Sequence, residues 1–267
     1  MTRQERQWLA CHALGVSSAA LLAHPELYER PEVQALLRRR EAGEPLQYIL
    51  GEAPFLGRDF HVGPGVLIPR QDTETLIAAA LEFVPDGDPF TFLDWGTGSG
   101  CIAATLLLER SGAFALMADR SLAALTCAQE NLKRYGLESR ARLLRTETPE
   151  DIILSEKEHC ALVLSNPPYI PTGDIPGLMR EVRDHEPHEA LDGGPDGMDF
   201  YRALFRHAPR WLKPGGFLIL EMGDDTQTEA LLSPEFQRCF NPKGLAFVHT
   251  FPDNSGVSRC TVWRYPG

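Results

Sequence analysis

From residue 88 onward, short apolar runs alternate with helical stretches, and that alternation leaves few folds open to the chain. Residues 90–94 read as a buried strand, followed by a glycine-rich turn and a helix from Cys101 to about Arg110. Residues 114–118 form a second expected strand, 121–135 a second helix closed by Gly136, and 160–165 a later strand. A helix is expected over 199–212, with Tyr201, Leu204, Phe205, Ala208 and Trp211 on its core side. Lys213-Pro214-Gly215-Gly216 then reads as a sharp turn into a strand over 217–222. Two more strands, near 245–250 and 261–265, are placed to pair antiparallel at a sheet edge. The pattern predicts an α/β, Rossmann-like, mostly parallel sheet with helices on both faces.

The first 50 residues differ. Ser17 or Ser18 can cap a short helix containing Leu21 and Leu22, and Pro31 suits a helical first turn. Val33, Leu36 and Leu37 then form an apolar stripe that Gly43 ends. The run Arg38-Arg39-Arg40 is followed at once by Glu41 and Glu44, so it reads as a solvated face. Phe55, Phe60 and Val62, broken by glycines, suggest a hairpin that packs on both neighbours. The expected organisation is a small helical domain over 1–52, a β-hairpin linker over 53–72 and the main domain over 73–267, whose first helix starts near Asp72 or Thr73.

Charge and cysteine content narrow the function classes. Lys and Arg number 26 against 37 Asp and Glu, a net charge of −11. Residues 1–45 hold six of each sign, so the whole excess lies in the remainder of the chain, which argues against a grip on bare nucleic acid. Six cysteines at 11, 101, 127, 160, 239 and 260 include no C-x-x-C pair, which speaks for reduced thiols and a cytoplasmic location. His12 and the Ser17-Ser18 pair interrupt the only leader-like stretch, and no apolar run approaches the roughly 20 residues of a membrane span.

Two turns carry the chemistry. In Asp94-Trp95-Gly96-Thr97-Gly98-Ser99-Gly100 a strand runs through glycines into a helix, so backbone can approach a ligand closely and helix N–H groups face it. Asp119, at the end of the next strand, is placed to accept ribose hydroxyls. Leu164-Ser165-Asn166-Pro167-Pro168-Tyr169 follows another buried strand. Its prolines stiffen the backbone and remove N–H groups, so the Asn166 side-chain oxygen and the Pro167 carbonyl can both accept from one planar NH2, with Tyr169 offering a stacking face. His185 and His188 resemble metal ligands only superficially, because Pro187 separates them from a common helix; no metal is expected. Glu221, at a strand end, could face the cleft, cap a helix or be solvated. Asp253, Arg259 and Cys260 form no triad.

The glycine turn together with Asn166-Pro167-Pro168-Tyr169 resembles S-adenosylmethionine-dependent methyltransferases that modify amide or exocyclic nitrogens. Leu67 to Glu74, the stretch Glu186-Pro187-His188-Glu189-Ala190-Leu191, and the Gly193-Gly194 and Asp196-Gly197 pairs are similar to the PrmC/HemK family. The resemblance implies a class I methyltransferase sheet, and methylation of the side-chain amide of glutamine in the Gly-Gly-Gln motif of class 1 peptide-chain release factors. It implies that Gly96, Thr97, Gly98, Ser99 and Gly100 line the methionine part of S-adenosyl-L-methionine, that Asp119 holds the ribose, and that Asn166 to Tyr169 hold the target amide. Arg70 and Glu74 would lie at the mouth. Where the family carries an acid and an aromatic beside the adenine, this chain reads Glu147-Thr148, and Trp95 replaces a usual small aliphatic residue. Direct nucleic-acid binding and membrane association are not expected, and the protein is expected to act as a monomer. Two other readings share these motifs. A nucleic-acid methyltransferase acting on adenine N6 or cytosine N4 would want a basic groove and a larger target-recognition domain. A non-catalytic binding module would have no need to keep both turns.

Overall fold

The computed structural model describes residues 1–84, 86–253 and 255–267. Four helices open the chain: α1 (Arg3–Leu14), α2 (Ser18–Ala23), α3 (Pro31–Glu41) and α4 (Leu46–Leu50). Ser17 caps α2 by accepting from the Ala20 N–H at 3.3 Å, and Pro31 occupies the first turn of α3. Leu9, Leu21, Val33, Leu37 and Ile49 bury against one another as a separate small core. The arginine run departs from expectation. Arg38 and Arg39 are exposed, but Arg40 is half-buried and donates to Glu5 of α1 and, at 2.7 Å, to Glu181. Two carboxylates from separate segments outcompete water for that guanidinium.

A two-stranded hairpin follows, β1 (Glu52–Phe55) and β2 (Arg58–His61), paired antiparallel with Ala53 opposite Phe60. Leu56 and Gly57 both have positive φ, as a two-residue turn that follows strand twist requires. Phe55 and Phe60 bury in the main core, whereas Ala53 and Val62 pack with Tyr48 and Ile68. The hairpin therefore packs on both neighbours.

The main sheet comprises β3 (Phe90–Trp95), β4 (Ala113–Asp119), β5 (Ala141–Arg145), β6 (Cys160–Ser165), β7 (Leu212–Glu221), β8 (Ala246–Pro252) and β9 (Ser258–Arg264). Their order is β5-β4-β3-β6-β7-β9-β8, parallel throughout except that β9 runs antiparallel to both β7 and β8. On β3, Phe92 faces one core layer and Leu93 the other; Leu162 and Val163 on β6 repeat that alternation. One layer is completed by α5 (Glu74–Phe83), α6 (Cys101–Glu109) and α7 (Leu122–Arg134), the other by α9 (Asp199–His207) and its neighbours α10 (Asp225–Leu232) and α11 (Pro234–Phe240). The short α8 (Arg180–His185) lies in the long segment between β6 and α9.

Three differences from the sequence reading have physical causes. The helix expected to reach 212 ends at His207, and a 3-10 turn containing Pro209 replaces its last part, because proline cannot donate the next helical bond. Lys213–Gly216 is a bulged stretch inside β7 rather than a turn before it. Gly216 lies so close to the Ala161 carbonyl that a Cβ there would stand 3.0 Å from it. The edge strand β5 and helices α10 and α11 were not foreseen. The sheet order reverses between β3 and β6, so the crevice for a ligand opens at their carboxyl ends.

Candidate active site

Both sequence turns meet at that crevice. After β3 the chain hangs from the end of β4, with Gly96 and Thr97 N–H groups donating to the Ala118 carbonyl at 2.8 and 3.0 Å. The Thr97 hydroxyl donates to buried Asp94 at 2.6 Å, and burial raises the Asp94 pKa to about 7. The Gly98 and Ser121 N–H groups each donate to Asp119 at 2.9 Å, one to each carboxylate oxygen. A carboxylate has about four lone-pair sites, so Asp119 keeps acceptor capacity for hydroxyl groups. Burial raises its pKa, opposed by those backbone donors.

A cavity of 280 Å³ lies over this turn. Gly96, Thr97, Gly98, Ser99 and Asp119 line it, as do Glu147 and Thr148 from the loop after β5. Arg70, Asn166 and Pro168 line it too. Val66, Ile102, Phe200 and Ala203 add apolar wall, a surface that suits a purine. A Cβ built at Gly96 or Gly98 meets nothing within 4 Å, so the glycines leave an open cradle that side chains would fill. The residues present therefore fit a nucleoside carrying a methionine chain.

Four residues expected at the site do not line the cavity. Glu74 accepts from the Leu56 N–H at 2.9 Å and so pins the hairpin turn. Gly100 is a packing residue: a Cβ there would stand 2.9 Å from Met117 Cε and 3.1 Å from Ala128 Cβ. Pro167 is buried beneath the turn. Tyr169 is turned away, its hydroxyl donating to Glu221 at 3.4 Å and its carbonyl accepting from Gln227 at 2.8 Å. The hydroxyl is drawn to a buried carboxyl, which a solvent-facing stacking ring would forgo.

Asn166 is tied to the residue that opens α5. Its Nδ2 donates to Thr73 Oγ1 at 3.1 Å, which turns Oδ1 the other way. Among the described residues no N–H or O–H donates to the Pro167 carbonyl. Sequence reasoning missed Thr73, Glu186 and the burial of Glu221. Glu186 is buried, pairs with Arg70 at 2.5 Å and accepts from the Ile68 N–H at 3.0 Å. The motifs around 67–74 and 186–191 thus bind each other at the mouth. Their joint occurrence in the sequence was the available signal. Glu221 is neither solvated nor a cap, since Asp224 caps α10.

Comparison with known proteins agrees along nearly the whole chain. Residues 2–51 match the PrmC N-terminal domain family and residues 75–177 the methyltransferase small domain family. The release factor glutamine methyltransferase of Geobacter sulfurreducens is 40% identical over 266 residues, spanning 98% of this chain and 89% of that protein. Its counterpart from Cereibacter sphaeroides is 42% identical over 271 residues, spanning 99% and 91%. A solved methyltransferase from Pyrococcus furiosus superposes with a TM-score of 0.54 at 16% identity, covering 88% of this chain and 98% of that one, a likeness of fold alone.

Proposed function

The chain belongs to the release factor glutamine methyltransferase family, and from that premise we propose how its residues transfer a methyl group from S-adenosylmethionine to the glutamine side-chain amide of a class 1 release factor. The glycine turn and Asp119 hold the donor, Glu147 and Thr148 flank its base, and Asn166 with Pro167 receives the carboxamide at the Gly-Gly-Gln motif. Residues 1–52 serve substrate recognition, 53–72 link, and 73–267 catalyse. The same reading has a monomer working in the cytoplasm on a protein rather than on nucleic acid, in keeping with the net charge of −11.

When bound, S-adenosylmethionine supplies a sulfonium methyl that is already electrophilic. The work left to the protein concerns the amide nitrogen, whose lone pair is delocalised into its carbonyl. Asn166 Oδ1 and the Pro167 carbonyl accept the two hydrogens of the incoming NH2, orient the nitrogen and favour positive charge building on it. The proton shed by the N-methylated amide leaves to water.

The observation that carries this reading is the Asn166 amide, tied back through Nδ2 to Thr73 at 3.1 Å beside a cavity that fits the donor. Asn166→Ala should keep donor affinity within about twofold while lowering turnover by ~100-fold or more, the scale of a lost preorganised contact. Calorimetry with S-adenosylmethionine and mass spectrometry of an intact release factor read the two effects. Unchanged turnover would remove Asn166 from its role.

A further inference from the structure

We propose that Tyr48 and Glu186 are positioning residues for the methyl donor: between them they hold residues 65–70 as a strap along the cavity, so that the N-terminal helical domain shapes the donor site as well as meeting the substrate. The inference rests on the function proposed above, since it takes the cavity to be the seat of S-adenosylmethionine.

The strap has no ladder of its own. The Val66 N–H donates to the Gly63 carbonyl at 3.2 Å and closes the turn that precedes it. Among the described residues, Leu67 to Arg70 then take part in no backbone–backbone hydrogen bond. Buried peptide groups in such a stretch depend on side chains for partners. The Tyr48 hydroxyl, from α4, donates to the Val66 carbonyl at 2.6 Å. Glu186 accepts from the Ile68 N–H at 3.0 Å with one carboxylate oxygen and from Arg70 at 2.5 Å with the other. Tyr48 and Glu186 are themselves buried, 6% and 4% exposed, so water does not compete for these bonds.

The same strap is a wall of the cavity. Gly65, Val66, Leu67, Pro69 and Arg70 line it, whereas Tyr48 and Glu186 do not. Ile68, the one strap residue that turns aside, packs with Tyr48, Ala53 and Val62 in a small cluster of its own. The surface that a bound donor presses on is therefore set by what lies behind it. The N-terminal helices are tied in at a second place, where Arg40 of α3 donates to Glu181 of α8 at 2.7 Å, on the segment that leads to Glu186. A domain that served only to meet a protein substrate would gain nothing from a buried hydroxyl behind the donor wall. Without that hydroxyl the Val66 carbonyl is left buried and unmet, a cost that movement of the strap relieves.

The test measures calorimetric affinity for S-adenosylmethionine, methyl transfer to an intact release factor and thermal melts in wild type, Tyr48→Phe, Glu186→Gln and, as a control, Val33→Ala. Tyr48→Phe and Glu186→Gln should each raise the donor dissociation constant about fivefold or more, the scale of an unmet buried hydrogen bond. In Tyr48→Phe the donor KM should rise with it, while kcat at saturating donor stays within about twofold of wild type. Val33 belongs to the separate core of the N-terminal helices, so Val33→Ala should lower Tm yet keep donor affinity within about twofold. Wild-type donor affinity in either strap variant, an equal loss in Val33→Ala, or a fall in the kcat of Tyr48→Phe with its donor KM unmoved would overturn the proposal. Should Tyr48→Phe not fold, Glu186→Gln decides by donor affinity. A wild type that binds S-adenosylmethionine but methylates no release factor defeats the parent reading, whereas active wild type with unmoved affinity in both strap variants defeats this inference alone.

Discussion

A methyl group added at Gly98 would point into open cavity, whereas one added at Gly100 would press on Met117 Cε and Ala128. Both residues have positive φ, 55° and 77°, so alanine at either carries a left-handed penalty of roughly 1–2 kcal/mol. Only at Gly100 does overpacking add a further ~1–3 kcal/mol. Gly100→Ala should therefore be the less stable variant by urea unfolding. Gly98→Ala should melt nearer wild type and instead lose S-adenosylmethionine affinity by calorimetry, because its methyl occupies ligand space. Equal stability of the two would refute the division. The sequence pattern grouped all the glycines of the turn together, since each signals backbone freedom, and nothing in the spacing says which one a helix and a strand close upon. Asp119 was legible because a strand end fixes where an acid points. Tyr169 was not, because the buried carboxyl that captures its hydroxyl comes from β7, 52 residues away.

Between elements, Asn131 does the joining. It lies fully buried on α7, where its Oδ1 accepts from the His61 N–H at 2.7 Å. Its Nδ2 donates to the His61 carbonyl at 2.9 Å and to the Ser99 carbonyl at 2.8 Å. One amide thus fastens the end of the hairpin and the glycine turn to the same helix. Asn131→Ala leaves the His61 N–H and the buried Ser99 carbonyl without their partner, while the His61 carbonyl keeps the Cys127 thiol at 3.1 Å, and should destabilise the protein by about 1–3 kcal/mol, the cost of an unmet group that water cannot reach. Donor affinity should fall with it, as the turn loses an anchor. Loss of stability with unaltered affinity would show that the turn is held elsewhere. Elements whose own residues supply the core, such as β3, β4, β6 and α6, were readable from apolar runs. The strand β5, Ala-Arg-Leu-Leu-Arg, is partly exposed at the sheet edge and carries charge at both faces, so its pairing with β4 leaves little trace in sequence. The same holds for α10, whose apolar residues do not gather on one face.

At the scale of the whole molecule the carboxyl groups divide into two populations with opposite effects on stability. Surface acids such as Glu158, held to about 2 by the Ser155 backbone and hydroxyl and by Arg142, and Asp253, lowered first by Arg259, bind protons less readily when folded. Their stabilisation is present above the unfolded carboxyl range and is lost as pH falls through the folded values. Asp94 and Glu221 run the other way, raised by burial to about 7 from 3.8 and 4.5. Their contribution is complete below the unfolded pKa and is lost as pH rises through about 7, because folding then buries a charge. The protein without ligand should accordingly be most stable near pH 5, with Tm declining toward 7 and above. Asp94→Asn should flatten that decline, since the amide has no proton to lose, and thermal melts from pH 4 to 8.5 measure both. A wild-type Tm that rises from 5 to 7 would contradict the buried pair's influence.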